Sequence, residues 1–292
     1  MLSAMATRPT PLAALLAAAV LISLAACAPE DESPTPPAAS ATGSACAKDT
    51  LETTTAGKLT VATDQPAYEP WVVGDKPESG EGFEAAVAYA VAEKLGYARA
   101  DVVWTRVPSN NAIAPGPKAF DFDINQFSIT DERKQAVDFS SPYYLVRQTV
   151  IALKTSPVAG ATAVSALASA KLGAQVGTTS LQAINDLIKP TTQAAVYNTN
   201  EDAKKALQNG TIDGLVVDLP TAFFITAVEV PEAKIVGQLP QVGTPEAFGL
   251  LLDKGSSLTA CVSQAVDGLR DDGTLKELET KWLAQVGAPE LT

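Results

Sequence analysis

Short β-rich runs alternate with helical patterns along most of this chain, from residue 58 onward. Such alternation builds mostly parallel sheets with helices on their faces, and ligands bind where the strands end. The predicted strands are 58–63, 102–107, a weaker 123–127, 172–176, 194–198, 212–217, 234–239 and 248–252. The predicted helices are 82–96, 163–170, 180–188, 201–208, 220–228, 257–270 and 275–285. The sequence therefore predicts an α/β fold.

Two extended runs, near 149–155 and 238–246, interrupt this alternation and look like crossings between two lobes. We therefore expect one lobe from residues 46–152 plus 243–292, and a second lobe from residues 153–242. A chain of 292 residues is long enough for two such cores.

The N-terminus has the pattern of an export signal. Fifteen uncharged, mostly apolar residues from Leu12 to Ala26 are too few for a membrane-spanning helix and suit a signal peptide, here residues 1–26. Leu24-Ala25-Ala26-Cys27 resembles a bacterial lipoprotein signal, in which the cysteine is acylated and becomes the new N-terminus. An ordinary secretory signal with a chance cysteine is the alternative. Residues 27–45 are rich in Pro, Ser, Thr and Ala, which predicts a flexible tether.

Two cysteines follow the lipidation site, Cys46 and Cys261. Exported proteins reach compartments that permit disulfides, so an even pair favours one bond between them. Two buried free thiols are the alternative.

Composition excludes several classes of function. The chain has no histidine, which rules out a Ser-His-Asp triad and His-ligated zinc, and three cysteines are too few for a Cys-rich metal cluster. The formal net charge is −12 without a basic cluster, so nucleic acid is not an expected partner. We expect neither a metal nor a cofactor.

Arg133 is the first candidate for ligand recognition. In the segment from Ser128 to Arg133, Thr130 is a natural N-cap and two acids occupy the first helical turn. A guanidinium beside free backbone N–H groups suits a carboxylate, which arginine can engage with two hydrogen bonds. An arginine paired with its neighbouring acids on a solvated helix face is the alternative.

Three further segments lie where strands end. Thr179 to Gln182 fits a capping box. The turn that contains Thr178 and Thr179 would expose N–H groups that bind an anion. The alternative is that this turn only caps the helix. Asp218 ends a predicted strand and either faces a ligand crevice or caps the following helix. Asp64, Tyr68 and Trp71 follow the first strand, where aromatic rings either contact a ligand or pack under a loop.

Six segments, in this order, resemble the extracellular solute-binding proteins of polar amino-acid ABC importers. They are VATDQPAYEPW at 61–71, GFEAAVAYAVAEKLG at 82–96, FSITDERKQAVDFSSPYY at 127–144, GAQVGTTSLQAI at 173–184, NGTIDGLVVDLPTA at 209–222 and DDGTLKELETKWL at 271–283. The resemblance implies a two-lobed, type II periplasmic-binding-protein fold that closes on an amino acid. It also implies delivery to a membrane permease with an ATPase, by a monomer anchored at the outer face of the bacterial cell membrane.

The same resemblance implies roles for individual residues. Arg133, helped by Ser128 and by Thr179 from the opposite lobe, would hold the ligand carboxylate. Asp218 would receive the ligand ammonium, and Asp64, Tyr68 and Trp71 would face the ligand side chain.

The sequence departs from the family at two places. Asn125 and Gln126 replace small residues, and their amides would fill part of the pocket or bond the ligand directly. Glu84 and Ala86 occupy positions where the family commonly has two acids. An exported enzyme on the same fold, such as a dehydratase, remains an alternative, with Asp64, Glu84 and Asp218 as its candidate acids. A ligand-sensing module is a third hypothesis.

We predict that Cys27→Ser moves the protein from the membrane fraction to the soluble fraction or the medium, because the acyl chain loses its attachment point. Cell fractionation followed by immunoblotting measures this, with Cys46→Ser as the control that stays bound. Tight membrane association of the Cys27→Ser variant would contradict lipid anchoring.

Overall fold

The structure is a computed structural model that describes residues 46–283 and 287–292. The predicted signal peptide, Cys27 and the tether lie outside the described residues. Within these two ranges, no helix is both long enough and apolar enough to cross a membrane.

Twelve strands and seven α-helices make up the regular structure of the described ranges. The strands are β1 (Leu59–Thr63), β2 (Val102–Arg106), β3 (Phe122–Asp123), β4 (Val137–Phe139), β5 (Tyr144–Leu145), β6 (Gln148–Leu153), β7 (Leu172–Gln175), β8 (Ala195–Tyr197), β9 (Gly214–Asp218), β10 (Ala233–Gln238), β11 (Ala247–Phe248) and β12 (Leu251–Asp253). The helices are α1 (Phe83–Lys94), α2 (Ser109–Ile113), α3 (Thr179–Ala183), α4 (Asn200–Gln208), α5 (Leu219–Phe224), α6 (Thr259–Asp271) and α7 (Thr274–Trp282).

The strands form two five-stranded sheets, which confirms two lobes of α/β structure. The first sheet has the order β2-β1-β3-β12-β4 and the second has the order β10-β6-β9-β7-β8. In each sheet two pairings are parallel and two are antiparallel, so both sheets are mixed rather than mostly parallel. A short pairing of β5 with β11 joins the two crossings. We call the parts built on these sheets the first and second lobes.

The crossings differ in one respect from the sequence expectation. The run 149–153 is not a linker, because β6 is a central strand of the second sheet with Gln148 to Ala152 buried. The chain therefore leaves the first lobe at Val146 and Arg147 and returns through 239–246. The C-terminal residues add a further link, since Leu291 N donates to Gln238 O at 2.9 Å on β10. The exact lobe boundaries remain a proposal.

Each lobe has its own apolar core. In the first lobe, α1 and α6 pack together beside the sheet, around a cluster that includes the fully buried Phe83, Phe122 and Phe248. In the second lobe, two clusters contain the buried Leu172 and Leu215 respectively. These cores hold the strand ends that carry the candidate site.

Several predicted elements are shorter or more irregular than expected. The predicted strand 123–127 is reduced to β3, because the chain turns into the cleft after Asp123. The predicted helix 163–170 is a 3₁₀ turn at Val164–Leu167. The predicted helices 180–188 and 220–228 begin as α3 and α5 and end in π-helical turns.

Cys46 and Cys261 are bonded, which confirms the predicted disulfide. The bond ties the first described residue to α6 in the core of the first lobe. It closes a loop with a sequence separation of 215 residues.

We expect the double variant Cys46→Ser, Cys261→Ser to lose up to about 5 kcal/mol of the free energy of unfolding, because the long loop is no longer closed in the unfolded chain. Urea unfolding of the oxidised protein and the variant measures the difference, and non-reducing peptide mapping verifies the bond. Equal unfolding midpoints would contradict this expectation.

Candidate functional site

A polar cavity lies between the two lobes. Both sheets direct strand ends toward it: Asp64 follows β1, Asn125 follows β3, Gln175 ends β7 and Asp218 ends β9. This is where α/β sheets place ligands. The polar residues around the cavity are Asp64, Tyr68, Ser109, Asn110, Asn125, Gln126, Arg133, Gln175, Thr178, Thr179, Ser180, Asn200, Asp218 and Thr221.

Arg133 reaches the cavity from the first lobe and contacts the second. Its backbone N–H donates to Thr130 Oγ1 at 3.2 Å, although the expected helix is only a 3₁₀ turn at Arg133–Gln135. Its Nη1 donates to Ser128 O and its Nη2 to Gly177 O, both at 2.9 Å. Burial lowers the pKa of the guanidinium, and Glu246 and Asp218 oppose that shift. The side chain stays charged at neutral pH.

The second lobe meets Arg133 at the turn before α3. Gly177 has a φ of +74°, and a Cβ built there would lie 2.6 Å from Asn110 Oδ1, so glycine permits both the backbone conformation and the close approach of the lobes. Thr178, not Thr179, is the N-cap, because its Oγ1 accepts from Leu181 N at 3.2 Å. Thr178 has extended backbone angles, and the helix already begins at Thr179. The Thr179 hydroxyl lies 3.2 Å from Ser128 Oγ, across the cleft.

Asp218 stands at the N-cap position of α5, but its side chain makes no capping hydrogen bond. Instead, Oδ1 accepts from Gln148 Nε2 at 2.9 Å, so helix capping is not the role that the side chain adopts. Burial raises the pKa of Asp218 to about 8, and the carboxylate of Glu246 is the next contributor. Perturbed acids of this kind concentrate at functional sites.

A chain of hydrogen bonds forms the wall of the cavity in the first lobe. Gln126 Nε2 donates to Glu84 Oε2 and, at 3.4 Å, to Asn125 Oδ1. Asn125 Nδ2 donates to Ser109 Oγ at 2.7 Å, and Ser109 Oγ donates to Asp64 Oδ2 at 2.6 Å. These bonds use both hydrogens of Gln126 Nε2, whereas Asn125 Nδ2 keeps one hydrogen. The Gln126 carbonyl and the Asp64 carboxylate are the acceptor groups of residues that border the cavity.

Glu84 on α1 supports this wall by accepting two hydrogen bonds from Gln126. It is fully buried, and its Oε1 accepts from Gln126 N at 2.7 Å and from the Tyr143 hydroxyl. Burial raises the pKa of Glu84 to about 7, while the hydrogen bonds from Tyr143 and Gln126 oppose the shift. Gln126 has a φ of +47°, which is unusual for a residue with a side chain. The two bonds to Glu84 hold it in that conformation.

Two predicted site residues do not border the cavity. Trp71 is fully buried among Phe83, Tyr144 and Phe248, and its Nε1 donates to Thr221 Oγ1 at 2.9 Å across the lobes. Its ring is core packing, which was one of the two expected roles. Ser128 lies just behind the cavity and donates to Glu246 Oε1 at 2.6 Å. The other eight predicted residues all border the cavity.

Sequence reasoning missed several polar residues of the site. Ser109, Asn110, Gln175 and Asn200 all lie where a strand ends or a helix begins, and the strand-end rule would have found them. Gln148 begins β6 directly after the outgoing crossing and Glu246 ends the return crossing, and neither residue has a motif that marks it. Gln148 Nε2 nevertheless contacts Asp218, Glu246 and Thr179.

The described residues contain no group of three or more Cys, Asp or Glu side chains arranged to hold a metal ion. The side chains around the cavity offer hydroxyls, amides, two carboxylates and one guanidinium. This set suits a small, polar, charged ligand.

The chain is similar to known amino-acid-binding proteins. It is 26% identical over 239 residues to the L-arginine-binding protein of Pseudomonas aeruginosa, covering 77% of this chain and 90% of that protein. A solved arginine-, lysine-, histidine-binding protein of Geobacillus stearothermophilus matches with a TM-score of 0.66 and 25% identity, covering 77% and 94%. An ancestral amino acid-binding protein, described as a precursor of cyclohexadienyl dehydratase, matches with a TM-score of 0.65 and 28% identity, covering 78% and 96%.

These structural matches confirm the two-lobed, type II periplasmic-binding-protein fold. The sequence model of one family matches residues 59–285, which include both sheets and every residue that borders the cavity. The chain belongs to the bacterial extracellular solute-binding proteins, family 3.

Proposed function

We propose that this protein binds one amino acid in the cavity between its lobes and delivers it to an ABC importer. One observation carries the proposal: a guanidinium from the first lobe and a carboxylate from the second lobe border the same polar cavity. An amino acid carries the two complementary charges on one carbon. Because a buried charge needs a partner, a zwitterion satisfies both lobes at once.

Arg133 receives the ligand carboxylate. Ser128 O and Gly177 O each accept one of its five N–H groups. No other hydrogen bond of the guanidinium is found among the described residues, so the remaining N–H groups can bind the ligand carboxylate. Thr178 and Thr179 border the same cavity, and the Thr178 hydroxyl is engaged within its own turn by Gln175 O and Leu181 N. Ser128 acts indirectly, because its hydroxyl proton is directed to Glu246.

Asp218 receives the ligand ammonium. Its Oδ1 accepts only a neutral amide hydrogen bond from Gln148, so it retains acceptor capacity for a cation. Since Arg133 and Asp218 come from different lobes, both ends of the ligand are satisfied only when the lobes are together. Ligand binding therefore favours closure.

The ligand side chain ends in N–H donors. In the wall built by Asp64, Asn125 and Gln126, the Gln126 amide hydrogens and the Ser109 hydroxyl are used internally, and the Asp64 carboxylate can only accept. The named acids around the cavity, Asp64 and Asp218, outnumber Arg133. The relative from Pseudomonas aeruginosa binds arginine. The arginine side chain carries N–H donors for the acceptors of the wall and a positive charge for the excess of acids.

Transport defines the biological setting of the proposal. Family membership supports a location outside the cytoplasm. Acylation at Cys27 would hold the protein at the outer face of the cell membrane, beside a permease and its ATPase. The protein would act there as a monomer.

A second candidate is an exported enzyme, such as a dehydratase. The raised pKa of Asp218 in the cleft favours it, because a general acid needs such a pKa near neutrality. The likeness to the ancestral precursor of a dehydratase also favours it. Turnover of chorismate-derived substrates by the purified protein distinguishes this function from binding.

We predict that Arg133→Ala and Asp218→Asn each weaken amino-acid binding at least tenfold, about 1.4 kcal/mol. Each change leaves one charged end of the ligand buried without its partner, at a cost of roughly 2 to 5 kcal/mol. Calorimetric titration measures the affinity, and thermal melts verify folding.

Lys134→Ala and Asp271→Asn are the matched controls, since both residues are exposed and neither borders the cavity. They are expected to bind as the parent does. If Arg133→Ala and Asp218→Asn stay folded and bind equally well, the cleft has been assigned incorrectly.

We also predict a ranking of ligands for the parent protein. L-arginine and L-glutamine bind more tightly than L-glutamate, because only the first two offer N–H donors to Asp64 and Gln126. L-glutamate also places a negative charge beside the Asp64 carboxylate. The same calorimeter measures the series, and a preference for L-glutamate would contradict the orientation of the wall.

A further inference from the structure

Two carboxylates from distant parts of the chain share one carboxamide beside the cavity. Gln148 is 6% exposed, and its Nε2 lies 2.9 Å from Asp218 Oδ1 and 3.1 Å from Glu246 Oε2. Its Oε1 accepts from Ser180 Oγ at 2.6 Å, so the nitrogen end faces the acids. An amide nitrogen has two hydrogens and no charge. It therefore bonds both carboxylates without neutralising either.

Glu246 does not border the ligand cavity. It lies on the return crossing, accepts from Ser128 Oγ, and borders a separate groove with Val146 and Leu239. Any effect of Glu246 on the ligand is therefore transmitted through Gln148 and through its charge. This makes it a positioning residue.

The charges that face Asp218 are mostly of its own sign. Glu246 and Glu84 disfavour a second negative charge there, and Arg133 favours it. Tyr143 and Tyr144 also face Asp218, and burial raises the pKa of both phenols, so both stay neutral. Burial is the largest cause of the raised pKa of Asp218, and Glu246 is the largest contribution from a single residue.

We propose that the carboxylate of Glu246, held beside Asp218 on the same amide nitrogen, keeps a proton on Asp218 before the ligand binds, and that the ligand ammonium replaces this proton. The hydrogen bond from Gln148 fixes the two acids side by side, and by itself it favours the ionised form of Asp218. On binding, the Asp218 carboxyl releases its proton to solvent, and the carboxylate formed accepts hydrogen bonds from the ammonium. No other bond changes. The inference deepens the proposed function and rests on it for the identity of the ligand group.

This exchange links affinity to pH with a defined sign. A proton and an ammonium compete for one carboxylate, so the dissociation constant falls as pH rises toward the pKa of about 8. The limiting slope is about tenfold per pH unit for one proton. An Asp218 already ionised at pH 6 would give no such slope.

The first experiment counts protons. Calorimetric titration with L-arginine at pH 7, in phosphate and in Tris, gives the number of protons released for each ligand bound. The parent is expected to release a proton in most binding events, because burial and Glu246 raise the pKa of Asp218 to about 8. Glu246→Gln is expected to release fewer protons than the parent.

Glu290→Gln is the matched control. Glu290 pairs with Arg147 of the outgoing crossing at 2.9 Å, so its neutralisation removes a charge near the crossings without changing the shared amide. Its proton release is expected to equal that of the parent. Equal release by the parent and Glu246→Gln would overturn the inference.

The second experiment needs no ligand. Carboxyl ¹³C NMR follows the ionisation of Asp218 in the ligand-free protein, with the signal identified by its loss in Asp218→Asn. Asp218 is expected to ionise above pH 7 in the parent and at least one pH unit lower in Glu246→Gln. Ionisation at the same pH in both proteins would overturn the inference.

Together the two experiments separate this inference from the proposed function. If the NMR titration is as expected but no amino acid produces binding heat, amino-acid binding fails and the coupling of Glu246 to Asp218 stands. If amino acids bind with equal heats in both buffers, binding stands and proton exchange fails.

Discussion

Burial of unlike charges between the two lobes is the constraint on which the rest of the site depends. Arg133 lies close enough to the second lobe to donate to Gly177 O, while Asp218 ends a strand of that lobe. Each charge loses water when the lobes meet, and a charge without a partner in such a place costs several kcal/mol. The cleft reduces this cost through the two carbonyls that accept from Arg133 and through the raised pKa of Asp218. An amino acid would supply the missing partners.

Much of the fold could be predicted from local patterns, because the periodicity reports which faces are buried. The start of α1 after Gly82, strand β1 and the alternation in the second lobe follow their sequence patterns closely. The first crossing was predicted several residues too late in the chain. The β-branched run 149–153 could form either an extended linker or a buried strand, and composition does not distinguish the two. The π-helical ends of α3 and α5 have no distinct sequence pattern.

The residues of the candidate site also fall into those that could be predicted from the sequence and those that could not. Arg133, Asp218, Asp64 and Asn125 were predictable, because their positions follow strand ends or family motifs. Gln148 and Glu246 were not predictable, because nothing in either segment marks the residue. Their role follows only from the contact between the start of β6 and the return crossing. Trp71 was assigned to the ligand by analogy, although its ring is the centre of an aromatic cluster in the first lobe.

A crystal structure of the protein with L-arginine tests the central claim most directly. We predict that the α-carboxylate is bonded to Arg133, that the α-ammonium lies within hydrogen-bond distance of Asp218, and that the guanidinium lies against Asp64 and Gln126. A ligand bound in the reverse orientation, or outside the space between Arg133 and Asp218, would contradict the account.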